Sequence, residues 1–271
     1  MSSPSWGELL QEVEDLDPGL LQWWISDRQD CSLSWIPMKE PVSEEDLVAW
    51  KQALPRLRAG EPVQYVAGRA PFRNLQLRVD ERVLIPRPET EQLVEIALKL
   101  PLPAQARVLD VGTGSGCIAL SLKQERPDWQ LTAVDLSEDA LALATTNAAE
   151  QGLDVCFQQA DLLQGLSSEA RNLIMANLPY IGKEEEAALP ENVRNFEPHL
   201  ALFAEGEGTA LMIQLMDQAW QQLVAGGYLL LESGETQQAI LGPAAEQRGY
   251  EVSLKSDLAG RERFWVLRKP A

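Results

Sequence analysis

Apolar positions along the chain change their period twice. Up to about residue 70 they recur at helical spacing: Trp6, Leu9, Leu10 and Val13 share one helix face. Leu20, Leu21, Trp23, Trp24 and Ile25 form a second patch, and Leu47, Val48 and Trp50 a third. Ser43 ahead of Glu44, Glu45 and Asp46 has the composition of a helix start, a hydroxyl to cap and acids in the first turn. Pro37, Pro41, Pro55 and Pro62 divide the region, which is predicted to fold as four or five short helices in a small unit spanning residues 1–70. Its five tryptophans are expected to pack inward rather than to form a recognition surface.

At Leu75 the period becomes two. Leu75, Leu77 and Val79 alternate as a half-buried strand does, Asp80-Glu81 reads as a turn, and Val83 to Ile85 returns, so a β-hairpin linker is expected within 71–88. Pro86 and Pro88 stiffen the chain around Arg87, either as a wall over a binding site or as a plain linker. A helix follows through Leu93, Val94, Ile96, Ala97 and Leu98, with Thr90 or Glu89 as its cap.

From residue 107 onward, apolar runs alternate with helical stretches. Strands are predicted at 107–111, 131–135, 155–160, 172–177, 227–232, 250–255 and 263–268, with helices between the first five. Such alternation builds a parallel sheet with helices on both faces. The short span from Asp257 to Glu262 makes the last two strands an antiparallel hairpin. The expected fold is therefore α/β: a seven-stranded, mostly parallel sheet in residues 89–271, preceded by the helical unit and the hairpin.

Composition narrows the function classes. The 271 residues carry a net charge of −18, which argues against general affinity for phosphate backbones. Cys31, Cys117 and Cys156 have no metal-ligand spacing, so no metal is expected, and their odd number suits a reducing compartment. With neither a basic, apolar leader nor a membrane-length apolar run, the expectation is a cytoplasmic protein that does not engage a membrane.

The segment Arg107 to Gly116, RVLDVGTGSG, reads as a buried strand running through a glycine turn into the helix CIALSL. Glycine allows a backbone with φ > 0 and close approach by a ligand, and the helix start directs free N–H groups toward it. The order here is G-x-G-x-G, with Cys117 where a dinucleotide fingerprint has its third glycine, which opposes a nicotinamide oxidoreductase. Asp135 ends the second sheet strand 19 residues after Gly116, where an acid can hold both hydroxyls of a ribose. Together these resemble the S-adenosylmethionine site of Rossmann-like methyltransferases, with Gly112, Thr113, Gly114, Ser115 and Gly116 as the turn and Asp110 near the methionine end. Asp161, after the third strand, can accept from an adenine amino group with Leu162 against the ring; its alternative is a helix N-cap.

The fourth strand ends in Asn177-Leu178-Pro179-Tyr180. Such residues can make an ordinary polar turn. Beside a transferable methyl group they have a sharper use. A planar amide or exocyclic amine nitrogen is a weak nucleophile because its lone pair is delocalised. Two acceptors aimed at its two N–H bonds orient it and stabilise the positive charge that grows as the methyl arrives. The Asn177 side-chain oxygen and the Leu178 carbonyl are the candidate acceptors, Pro179 fixes the backbone, and Tyr180 offers a flat face. No strong base is required, and His199 is expected to be structural or at the rim.

The chain resembles the bacterial release-factor glutamine methyltransferases over nearly its whole length. The resemblance rests on EPVQYVAGRAPF (61–72), VLIPRPETE (83–91), VLDVGTGSGCIALSL (108–122), AVD (133–135), ANLPYI (176–181), NFEPHLALFAEGEG (195–208), GGYLLLESG (226–234) and DLAGRERF (257–264). It implies a class I methyltransferase domain that takes S-adenosylmethionine at Gly112–Gly116, Asp135, Leu162 and Asn177, with Asn177 to Tyr180 holding the glutamine of a release factor's Gly-Gly-Gln loop. It also implies a helical domain joined by a hairpin to the catalytic one; this unit is expected to recognise the factor, because a single loop glutamine offers too few contacts for specificity, and a monomer is expected. The family usually has N-P-P-Y; N-L-P-Y also resembles the motif of ribosomal RNA adenine dimethyltransferases. The acidic charge, Asp135 rather than Glu, and the IPRPETE segment weigh against methylation of a nucleic-acid base. A binding module that kept the fold without the chemistry is opposed by the intact Gly112, Gly114, Gly116, Asp135 and Asn177 set.

Overall fold

The computed structural model describes residues 3–167 and 169–271, so the first two residues of the expected helical unit lie outside the described residues. That unit consists of α1 (Trp6–Gln11), α2 (Pro18–Arg28), a 3₁₀ turn at Leu33–Trp35, α3 (Glu44–Arg58) and α4 (Val63–Ala67). Each of the first three helices starts on a side-chain cap. Ser5 and Glu8 cap reciprocally, Asp17 accepts from Gly19 N with Pro18 at the first helical position, and Ser43 accepts from Asp46 N. Trp6, Trp24 and Trp50 meet with ring centroids 5.7 to 6.3 Å apart and form the centre of this core. Inward packing therefore holds for these three, whereas Trp35 on the 3₁₀ turn is 80% exposed.

The hairpin lies one strand earlier than its sequence pattern predicts. β1 (Arg69–Phe72) pairs antiparallel with β2 (Leu75–Arg78), and Arg73 takes φ +52 in the tight turn between them. The alternating Leu75 and Leu77 thus belong to the second strand. The first, Arg-Ala-Pro-Phe, is masked by a proline that has no N–H to donate. Asp80 does make a turn, accepting from Arg82 N, but Val83 to Ile85 runs on as unpaired loop. α5 (Pro88–Leu98) then starts with Pro88 at its first position and extended Arg87 before it, so neither Glu89 nor Thr90 is the cap; Thr90 is buried instead.

The remaining elements are β3 (Arg107–Val111), α6 (Cys117–Glu125), β4 (Gln130–Asp135), α7 (Glu138–Gln151), β5 (Cys156–Gln159), β6 (Arg171–Ala176), a second 3₁₀ turn at Lys183–Ala188, α8 (Glu191–Phe196), α9 (His199–Leu202), α10 (Ala210–Gln222), β7 (Leu223–Glu232), α11 (Gln238–Gln247), β8 (Glu251–Ser256) and β9 (Glu262–Arg268). Among the described residues seven strands form one sheet in the order β5-β4-β3-β6-β7-β9-β8. The first five are parallel and β9 runs antiparallel to both neighbours. Two expectations change. No helix joins β5 to β6 among the described residues of that connection, where a turn opens at Asp161 with Gly165 at φ +75. β7 begins earlier than predicted, because Leu223 already pairs with Arg171 across a register shift.

Alternation along β3 separates the two cores. Leu109 and Val111 pack with Met212, Leu215 and Met216 of α10, whereas Val108 packs with Leu93 and Val94 of α5 and with Phe72, Leu75 and Leu77 of the hairpin. Asn147 of α7 ties the hairpin to the glycine turn: its oxygen accepts from Arg78 N, and its nitrogen donates to Arg78 O and to Ser115 O. The chain reverses its direction across the sheet between β3 and β6, the switch point at which open α/β sheets bind ligands. No helix among the described residues is long and apolar enough to cross a membrane.

Candidate active site

The glycine turn follows β3, with Gly112, Gly114 and Gly116 at φ +72, +54 and +83. A side chain in this left-handed region costs about 1–2 kcal/mol per residue. The turn is held from below. Gly112 N and Thr113 N both donate to Val134 O, while Asp110 accepts from Thr113 Oγ1 at 2.6 Å and from Ala119 N at 3.3 Å. Asp110 is fully buried, and loss of solvent pushes its carboxyl up to about 7. It therefore braces the turn from behind instead of facing the ligand cavity. Gly116 is also behind the turn, since a Cβ there would press Leu120 and Ala144 and separate α6 from α7.

Above the turn lies a cavity of about 380 Å³. It brings together Gly112, Thr113, Gly114, Ser115, Asp135, Asp161, Leu162, Asn177, Leu178 and Pro179 from the carboxyl ends of four neighbouring strands. Asp135 is fixed by Gly114 N at 2.8 Å and Ser137 N at 2.9 Å, one on each oxygen, so each oxygen keeps acceptor capacity toward the cavity. Asp161 is exposed and starts a turn rather than a helix, with Gln164 donating to its carboxylate. Leu162, at φ +51, is buried beside it.

A second cavity of about 330 Å³ meets the first at Asn177 and Leu178. Tyr180 lines this second space and not the first, together with Ile181, Glu89, Glu232 and Arg263. Burial pushes the Tyr180 hydroxyl up to about 12, so it stays protonated. Asn177 Nδ2 donates to Thr90 Oγ1 at 2.9 Å, and Thr90 Oγ1 donates to Glu232 Oε2 at 2.9 Å. Burial likewise raises the Glu232 carboxyl to about 7.

The Pro86-Arg87 element does form a wall, since both residues line the first cavity. It is held by Glu197, a buried carboxylate that accepts from Ile85 N and from the Arg87 guanidinium. This bond brings the α8–α9 segment over the cavity, with Pro198, Leu200 and Ala201 in its lining. His199 stays exposed at the rim, its ring edge-on to Phe203 and its Nε2 3.1 Å from Arg194 O.

Sequence reasoning missed Thr90, Glu232, Glu197 and Arg263. A signal existed for Glu232, an acid ending an otherwise apolar central strand; none existed for its partnership with Thr90, 142 residues away.

The Methyltransferase small domain family matches residues 90–196. The Release factor glutamine methyltransferase of Lactococcus lactis subsp. lactis is 39% identical over 252 residues, covering 92% of this chain and 93% of that protein. The protein of the same name from Streptococcus pneumoniae is 44% identical over 199 residues, covering 73% and 71%. A methyltransferase crystal structure from Pyrococcus furiosus superposes with a TM-score of 0.56 at 15% identity, covering 84% of this chain and 98% of that one, a likeness of fold. With its class I methyltransferase fold and relatives matched along most of their length, the chain belongs to the release factor glutamine methyltransferase family.

Proposed function

We propose that this enzyme transfers the methyl group of S-adenosylmethionine to the side-chain amide nitrogen of the glutamine in the Gly-Gly-Gln loop of a peptide-chain release factor. The observation that carries the reading is the meeting of two cavities at Asn177 and Leu178, one lined by the glycine turn and Asp135, the other by Tyr180.

The residues fit the cofactor. A Cβ added at Gly114 would meet no atom within 4 Å, so the turn leaves open space for a ligand, and Asp135 retains acceptor capacity toward it. Asp135 would hold the ribose hydroxyls, Asp161 the adenine amino group and Leu162 the ring face, with Gly112 to Ser115 beneath and Gly116 setting the path of the turn. When bound, S-adenosylmethionine supplies a methyl group on a positively charged sulfur.

The chain's own residues prepare the nucleophile. Asn177 Oδ1 and the Leu178 carbonyl each accept one N–H of the glutamine amide, which fixes its plane and favours positive charge on nitrogen as the new C–N bond forms and the methyl–sulfur bond breaks, its electron pair staying on sulfur as a neutral thioether. Tyr180 packs on that plane. A methylated, positively charged amide nitrogen is strongly acidic, so its proton leaves without a dedicated base. The helical unit recognises the release factor outside its loop, since one glutamine offers few contacts. The enzyme works in the cytoplasm as a monomer, on protein and not on nucleic acid, in keeping with its net charge of −18.

The test offers labelled S-adenosylmethionine with unmodified release factor, a short Gly-Gly-Gln peptide and ribosomal RNA, and locates the product by mass spectrometry. The expected result is one added methyl on the loop glutamine, with a much higher kcat/KM for the intact factor than for the peptide. Label on RNA adenine, or on none of the three, overturns the substrate assignment. Equal efficiency on peptide and factor removes the recognition role of the helical unit.

A further inference from the structure

We propose that Thr90 and Glu232 are positioning residues that decide which atom of the Asn177 side-chain amide faces the substrate. This rests on the reading of Asn177 as an acceptor for the glutamine N–H. A primary amide has two nearly isosteric ends, and only the oxygen end can accept. In a site built around that acceptance, a flipped Asn177 presents N–H to N–H and opposes binding of the reactive conformer.

The structure holds a device against the flip. An ionised carboxylate only accepts, so Glu232 obliges the Thr90 hydroxyl to donate to it, at 2.9 Å. The hydroxyl hydrogen is then committed, and Thr90 Oγ1 offers Asn177 only a lone pair. Asn177 must answer with Nδ2, at 2.9 Å. Among the described residues no donor engages Asn177 Oδ1, which is left for the cavities that meet there. The direction of two hydrogen bonds thus carries the charge state of Glu232 to the orientation of Asn177. Thr90 is 1% exposed and Glu232 1%, so water does not compete for either bond.

Protonation of Glu232 releases this constraint. A neutral carboxyl can donate to Thr90, whose hydroxyl is then free to donate to Asn177 Oδ1 and turn the amide round. The charged and titratable groups around Glu232 are Arg263 of β9, Glu89 at the start of α5, Arg87 ahead of it, Tyr180 after β6 and Cys117 at the start of α6. Burial outweighs the two arginines and places its titration at about 7, inside the working range of an enzyme assay.

Two measurements on the full-length enzyme test the relay. The first needs no substrate turnover: the ¹⁵N side-chain amide signal of Asn177, assigned by its loss in Asn177→Asp, is followed by NMR. Its protons should exchange slowly in the wild type and several times faster in Thr90→Val. The second is steady-state kinetics on unmodified release factor. Thr90→Val should lower kcat about tenfold, the scale of one lost hydrogen bond, while KM for S-adenosylmethionine stays within about twofold. Thr90→Ser should restore kcat. The wild-type kcat should fall on the acid side of an apparent pKa near 7, and Glu232→Gln, whose amide cannot impose a direction, should have a lower kcat without that limb. Unchanged amide exchange in Thr90→Val overturns the relay whatever the substrate proves to be. So does a Thr90→Val enzyme with wild-type kcat, or a Glu232→Gln enzyme that keeps the acid limb. If Thr90→Val does not fold, Thr90→Ser and Glu232→Gln decide between the same outcomes. A wild-type enzyme that shows the slow amide exchange yet leaves the release factor unmodified refutes the substrate assignment and leaves the relay supported.

Discussion

Leu178 occupies the space that a side chain on Gly112 would need: its Cδ2 lies 2.9 Å from where a Gly112 Cβ would be. Leu178 lines both cavities, as do Leu84, Arg87, Asn177 and Ala201, and Gly112 lines the first beside it. Gly112→Ala would strain a residue at φ +72 and push Leu178 off its seat. Because Leu178 lines the cofactor cavity, its displacement should raise the S-adenosylmethionine Kd about tenfold or more, while the backbone strain of about 1–2 kcal/mol appears as lost stability. Isothermal titration calorimetry checks this, and a Kd within twofold of wild type defeats it.

Asn177 touches both cavities, and the proposed mechanism assigns its oxygen to the transition state. Asn177→Ala should therefore leave S-adenosylmethionine affinity within about tenfold while lowering kcat by about 10² or more, the scale for a lost transition-state hydrogen bond. Binding and single-turnover measurements on the same preparation separate the two. Equal losses would mean that Asn177 serves the cofactor alone.

Glu197 is the structural anchor of the cavity wall. It receives Ile85 N and the Arg87 guanidinium across more than a hundred residues of chain, with its side chain 1% exposed and that of Arg87 32%. Removing one partner of a fully buried ion pair costs about 3–5 kcal/mol; the partly solvated arginine brings the expectation for Glu197→Ala to about 2 kcal/mol. Differential scanning calorimetry should show Tm lower by about 5 °C. Glu197→Gln keeps an oxygen for Ile85 N and should lose less. A Glu197→Ala protein with the wild-type Tm would show that the wall holds itself.

The parts of this fold that were legible in the sequence are those written in local pattern. Apolar runs, the glycine turn and the acid at Asp135 lie within single strand-to-helix units, where periodicity and backbone demands speak directly. Asn177 to Tyr180 was legible as a group because the four are contiguous and end a strand. The hairpin is displaced because Pro71 disguises β1, and the alternation of Leu75 and Leu77 carries on to Val79, which lies just past β2 with its N still donating to Gly68 O. In sequence Thr90, like Glu89, has the local look of a helix cap, and only the three-dimensional packing of α5 on β7 turns it inward to Glu232. Pairings such as Arg87 with Glu197 leave no local trace in a single sequence.

Asp110 gives the protein a measurable pH signature. Its carboxyl sits at about 7 in the folded chain against an ordinary value of 3.8. Below 3.8 both folded and unfolded states hold the proton, and the group does not distinguish them. Between 3.8 and 7 the unfolded state gives up the proton while the folded state keeps it, so this group lowers stability progressively as pH rises; above 7 the penalty is constant. Carboxylates held low by arginine, such as Asp80 beside Arg82, act in the opposite sense. They are common to wild type and variant and cancel in a difference. Asp110→Asn keeps an oxygen for Thr113 Oγ1 and Ala119 N, and puts its NH₂ in place of Asp110 Oδ1, which has no partner among the described residues. The Tm of Asp110→Asn minus that of wild type should therefore climb from pH 4 to about pH 7 and then level off. A difference that stays flat across that window would mean that Asp110 is ionised throughout it in the folded protein, and that its buried oxygen is matched by a donor after all.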